Sequence, residues 1–179
     1  QMTTKDLFVR NIEADSYREN FLVSAVVSVF LIRIFLEVTN YPQLGGGDFH
    51  IAHMLWGGFF MLVALMMLFS FLSQKALFIA SILGGIGFGA FIDELGKFVT
   101  SDNDYFFQPT IALIYIIFVI LFLISRFIPR YREISQREYL VNAIEMIKES
   151  AINDFDVEEE KRAVEYLKKC DPANPIVQS

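Results

Sequence analysis

Asp93, Glu94 and Lys97 stand inside an otherwise apolar stretch, "GFGAFIDELGKF", residues 87–98. In a helix Lys97 lies i,i+4 from Asp93 and i,i+3 from Glu94, so it can reach either carboxylate. Asp93 and Glu94 themselves splay by about 100°. Arg33 and Glu37 repeat the i,i+4 spacing in another apolar segment, and His50 and His53, spaced i,i+3, open a third. Three chemistries fit these residue types. In the first, Arg33 and Lys97 hold an anion while His53, Asp93 and Glu94 act as general acid–base groups. In the second, His50 and His53 bind a divalent metal such as zinc, with Glu37, Asp93 or Glu94 completing the shell. Arg33 and Lys97 count against a cation and in favour of an anion. In the third, the groups only satisfy one another: Arg33 pairs Glu37, Lys97 pairs Asp93, and the histidines cap.

Positioning these groups requires apolar helices. The chain has 179 residues, of which 54% are hydrophobic and 19 are phenylalanine. The apolar residues come in blocks. Four segments meet the roughly 20 mostly apolar residues that a membrane crossing needs. They run from Phe21 to about Thr39, from about Phe49 to Leu72, from Ala76 to about Val99, and from Pro109 to about Phe127. The expected fold is therefore all-α: an integral membrane four-helix bundle over residues 21–128. A cytoplasmic N-terminal arm (1–20) precedes it, and a cytoplasmic C-terminal helical hairpin and tail (129–179) follow.

Lys and Arg flank two ends of these spans, at Lys5, Arg10, Arg18, Lys75, Arg126, Arg130 and Arg132. The connections "NYPQLGGGD" and "TSDNDYFFQ" contain neither residue. The positive-inside rule then predicts a multi-pass protein of the cell membrane with both termini cytoplasmic. Under this topology the seven polar residues share one depth, about 3–9 Å below the outer boundary. Ionisable groups so placed face the bundle interior and pair with one another. Gly85, Gly89 and Asp93 form a strip along one helix face, and small residues let spanning helices approach closely.

From Glu133 onward the chain becomes charged. Leu140, Ile144, Ile147 and Ala151 recur at helical spacing, then Ala163, Val164 and Leu167. Asp156 and Glu159 fit a capping box that opens the second helix, and "DPANP" ends it. Residues 133–170 offer a surface for a cytoplasmic partner or for homo-oligomerisation. No basic stripe marks a nucleic-acid surface. The lone Cys170 carries no redox or zinc pattern, and the polar first 20 residues lack a secretory leader core.

The element Asp93-Glu94-Leu95-Gly96-Lys97 after a Gly-rich span, with Asp48 and His53 earlier, resembles the VanZ-like membrane proteins over residues 48–127. Lys97 stands where that family has Gln, and the Asp-to-His spacing is one residue longer. "HIAHMLWGG" and "FIDELGKFVTSDNDYFF" also look like stretches of four-span prokaryotic membrane proteins. The resemblance implies a cell-envelope setting and no particular reaction. The function expected from the residues is binding or processing of an anionic lipid or lipid-linked phosphate. A non-catalytic membrane scaffold and a small proton-coupled transporter are the alternatives.

Overall fold

The computed structural model describes residues 9–39, 53–99, 108–127, 133–150, 157–174 and 177. Among these the protein is all-helical: α1 (Ala14–Val38), α2 (His53–Ser70), α3 (Gln74–Val99), α4 (Gln108–Phe127), α5 (Gln136–Ser150) and α6 (Val157–Lys168). The chain divides into two units. One comprises Gln1–Ala14 with Pro129–Ser179, and the other Asp15–Ile128.

The second unit holds the apolar helices. α1 begins seven residues before the apolar run. Asn11 Oδ1 accepts from the Glu13 amide (2.8 Å) at its entrance, and an Arg18–Asp15 ion pair ties its first turn. Ser73 caps α3, its hydroxyl accepting from the Ala76 amide (3.3 Å). α1 and the Gln74–Glu94 part of α3 are long and apolar enough to cross a membrane. The apolar stretches of the other two, Met54–Ser70 and Ile111–Phe127, are shorter. Two of the four expected spans thus meet the length criterion on the described residues.

Small residues make up much of the interior of this unit, with Val29, Leu36, Ile92 and Ile114 beside them, while many large apolar side chains are exposed. Ala25, Ser28, Ala64, Ala80 and Ala90 are buried. Phe30, Leu31, Leu55, Phe69 and Leu72 are exposed, Phe69 by 81%. α3 is the common partner. A Cβ on Gly57 of α2 would stand 2.6 Å from the Gly87 carbonyl oxygen and 2.7 Å from the Phe91 amide nitrogen. Only glycine permits that approach. The opposite strip of α3 meets α1: a Cβ on Gly89 would collide with the Ala25 carbonyl, and one on Gly85 with Ser24 and Phe21. The Ser28 hydroxyl donates across this interface to the Ile86 carbonyl (3.1 Å). Phe88 then meets Phe118 of α4 edge-on, centroids 6.2 Å apart.

The first unit is a helical hairpin with the N-terminal arm bound to it. Ala143 and Met146 of α5 bury against Ala163 and Tyr166 of α6, with Ile12, Tyr139 and Leu167 around them. This corrects the expected stripe. Leu140 is buried, but Ile144 and Ile147 are 44% and 43% exposed, as is Val164 (44%). Residues 151 and 156 lie outside the described residues. A capping box stands at the start of α5: Glu138 accepts from the Ser135 amide (2.9 Å) and donates its own amide to the Ser135 hydroxyl (3.3 Å).

The arm is held by side chains. The Arg10 guanidinium grips the buried Glu138 carboxylate with Nε–Oε1 3.0 Å and Nη2–Oε2 3.1 Å. Asn142 accepts from the Ile12 amide (2.9 Å) and donates to the Arg10 carbonyl (2.8 Å). Glu13 accepts from the Tyr166 hydroxyl (2.8 Å) and from Arg162 (2.9 Å). Burial, then the Glu13 hydrogen bond, push the Tyr166 hydroxyl above the ordinary tyrosine range. Burial likewise raises the Cys170 thiol.

Candidate site at the paired ends of α1 and α3

The glycine strip of α3 ends in Asp93, because 85, 89 and 93 follow one another at intervals of four. Glycines bring the α1 backbone close along that strip, and Asp93 becomes the first side chain on it able to reach across. There Arg33 Nε donates to Asp93 Oδ1 at 2.8 Å. The Asp93 side chain is 1% exposed and that of Arg33 19%. A carboxylate so buried is tolerable only when paired and hydrogen-bonded.

This pairing differs from the local one that spacing suggests. Glu37 is exposed and makes no ion pair among the described residues. Arg33 reaches across to α3 instead of along its own helix. Asp93 is the buried carboxylate of the two and loses more than the exposed Glu37 would by giving up the Arg33 guanidinium. Glu37 therefore does not join the Arg33–Asp93 contact.

Glu94 is also buried, 2% exposed. It continues the face of Gly87 and Phe91, which is the face turned to α2 through Gly57. Asp93 and Glu94 thus point to different neighbours, α1 for one and the α2 side for the other. The α2–α3 register sets Gly57 beside Phe91, which puts His53, one turn from Gly57, level with Glu94 along the helix axis. His53 is the first residue of α2 and Lys97 lies in the last turns of α3; their side chains, and His50 entirely, lie outside the described residues. Among the described residues no three His, Cys, Asp or Glu side chains gather as a metal shell.

Arg33 has a second environment. It lines a cleft of about 600 Å³ between α1 and α4, otherwise walled by residues such as Val26, Phe30, Ile114 and Phe118. Tyr115 is the other side chain there with a polar group. Only Nε of the guanidinium is hydrogen-bonded among the described residues, so Nη1 and Nη2 keep their donors. Two parallel N–H donors on one edge match a carboxylate or phosphate.

Residue type and spacing single out Arg33, Asp93 and Glu94, whereas the apolar cleft has no local signal, since it depends on how α4 packs against α1. No protein-family profile, curated protein or solved structure matches the chain.

Proposed function

We propose that residues 15–128 form a four-span membrane bundle whose Arg33 end binds an anionic lipid or lipid-linked phosphate. The carrying observation is the Arg33 guanidinium, fixed by buried Asp93 through Nε and bordering an apolar cleft with its remaining donors uncommitted. A head group would sit on the Nη groups and an acyl or prenyl chain along the cleft. Pairing to Asp93 holds the guanidinium in place before the ligand arrives, which lowers the ordering cost of binding.

Four spans are supported by the inside-out distribution of residues. Small side chains pack many of the helix contacts, as close approach of membrane helices requires, and many large apolar ones, such as Phe30, Leu55, Phe69 and Leu72, face outward. The two shorter stretches reach 17 residues in their described parts, the lower limit for a crossing of about 17–25 residues. The Lys and Arg distribution orients the Arg33 end outward and both termini to the cytoplasm.

In this reading Arg33 and Lys97 hold the anion. Asp93 is committed to Arg33, which leaves Glu94 and His53 as the acid–base pair for any reaction. The ion pair also favours a second reading, a scaffold in which Arg33–Asp93 only locks α1 to α3. The two separate in one experiment. Protein in nanodiscs is titrated with a fluorescent phosphatidic acid, wild type beside Arg33→Gln. Saturable binding lost in the variant is expected. Absence of saturable binding in folded wild type refutes the lipid site and leaves the scaffold.

A further inference from the structure

A second apolar cavity, of about 520 Å³, lies at the other end of the same helices. All four line it: Phe21 from α1, Met61 and Ala64 from α2, Ala80 and Gly84 from α3, and Leu121 from α4. It exists because Ala64, Ala80 and Gly84 leave the centre thinly filled at this level. Along α3 it extends from Leu77 to Gly84, about 10 Å at 1.5 Å per residue.

Its one charged lining residue is Arg18, with Tyr17, Ser81 and Ser125 as the other polar side chains. The guanidinium Nε is buried and has no hydrogen-bond partner. One Nη contacts Asp15, whose side chain is 68% exposed while that of Arg18 is 29% exposed. An i,i+3 pair with so exposed a carboxylate is readily exchanged for another anion. A buried unsatisfied donor beside an apolar cavity calls for a ligand with an anionic head and an apolar tail.

We infer that this cavity takes one acyl chain of an anionic phospholipid, with its phosphate on Arg18. The occupant is distinct from the ligand proposed at Arg33, which lies fifteen residues along α1, about 22 Å away. The inference shares with that proposal only the membrane setting of the four helices. In a bilayer the cavity fills from the lipid around it, so the lipid acts as a resident wedge between α4 and its neighbours.

The test uses full-length protein in mild detergent, stripped and then loaded with phosphatidylglycerol or phosphatidylcholine. Native mass spectrometry counts the lipid retained. One tightly held equivalent is expected, with phosphatidylglycerol preferred about fivefold, the effect of one arginine on an anionic head group. Arg18→Gln removes the preference. Ser81→Phe and Ser125→Phe fill the cavity and abolish retention of either lipid. Arg33→Gln leaves this lipid in place while weakening phosphatidic acid binding in the assay above, so each site can fail alone. Retention unchanged in folded Ser81→Phe and Ser125→Phe overturns the inference. If both filled variants unfold, Arg18→Gln decides: an unaltered preference, or none in the wild type, marks an adventitious additive only.

Discussion

Removing Arg33 should destabilise the protein far more than neutralising Asp93. Arg33→Met removes the Nε donor and its positive charge from the Asp93 carboxylate, which is 1% exposed. Breaking a buried pair this way costs about 3–5 kcal/mol. Asp93→Asn removes the opposite charge. The Arg33 guanidinium is 19% exposed and sits on a long stem that can turn its charge toward water or head groups. The asparagine carbonyl still accepts from Nε, so the loss is that of a weakened hydrogen bond, about 1–1.5 kcal/mol. The double variant should fall between, with a coupling of about 2 kcal/mol from the removal of both charges. Denaturation in mixed micelles, followed by circular dichroism, gives the three values. Equal or greater loss in Asp93→Asn would refute the reasoning, since the deeper partner would then not be the one that depends on pairing.

Four further outcomes follow. Gly89→Leu should separate α1 from α3 and lower the unfolding midpoint sharply, whereas Gly58→Ala, where an added Cβ meets nothing within 4 Å, should change stability by less than about 1 kcal/mol; equal effects would remove the close-packing argument. Glu138→Ala loses both the capping box and the Arg10 grip, about 2–3 kcal/mol together, and limited proteolysis should then cut the arm near residue 10. The stabilising effect of burying Tyr166 is present below the ordinary tyrosine value of about 10 and is lost as pH rises from there toward the higher folded value, so unfolding midpoints should decline in that range and decline less in Tyr166→Phe. Cysteines placed at positions 43 and 103, with Cys170 replaced, should react with an impermeant reagent in whole cells; protection of both would overturn the proposed topology.

The helices were legible in the sequence because apolar periodicity and length are local properties. So was Asp93 at the end of a smooth strip, since Gly85–Gly89–Asp93 is set by helical spacing alone. The partner of Arg33 was not. Local spacing offers Glu37, and only the approach of α3 brings in Asp93. The buried face of α5 was misread because two apolar stripes compete on it. Leu140, Ile144 and Ile147 are the more hydrophobic, yet Tyr139, Ala143 and Met146 fit the side of α6 that presents Ala163 and Tyr166. Ser135-x-x-Glu138 is a capping box whose spacing is local and legible in the sequence. The grip of Arg10 on Glu138 had no local signal, because it closes over 128 residues.

The clamp on the arm also sets a schedule for biosynthesis. Glu13 and its partner Tyr166 are separated by 153 residues. At about 5–20 residues per second a ribosome needs about 8–30 s to bridge that interval. Throughout it, every apolar helix is made while the arm still lacks the surface that will hold it. Residues 9–13 must therefore stay soluble and uncommitted during synthesis, which their charged side chains Arg10 and Glu13 favour. This contact fastens the arm before α1 to α6. Nascent chains stalled before residue 133 should carry a protease-sensitive arm, and chains released after residue 170 a protected one.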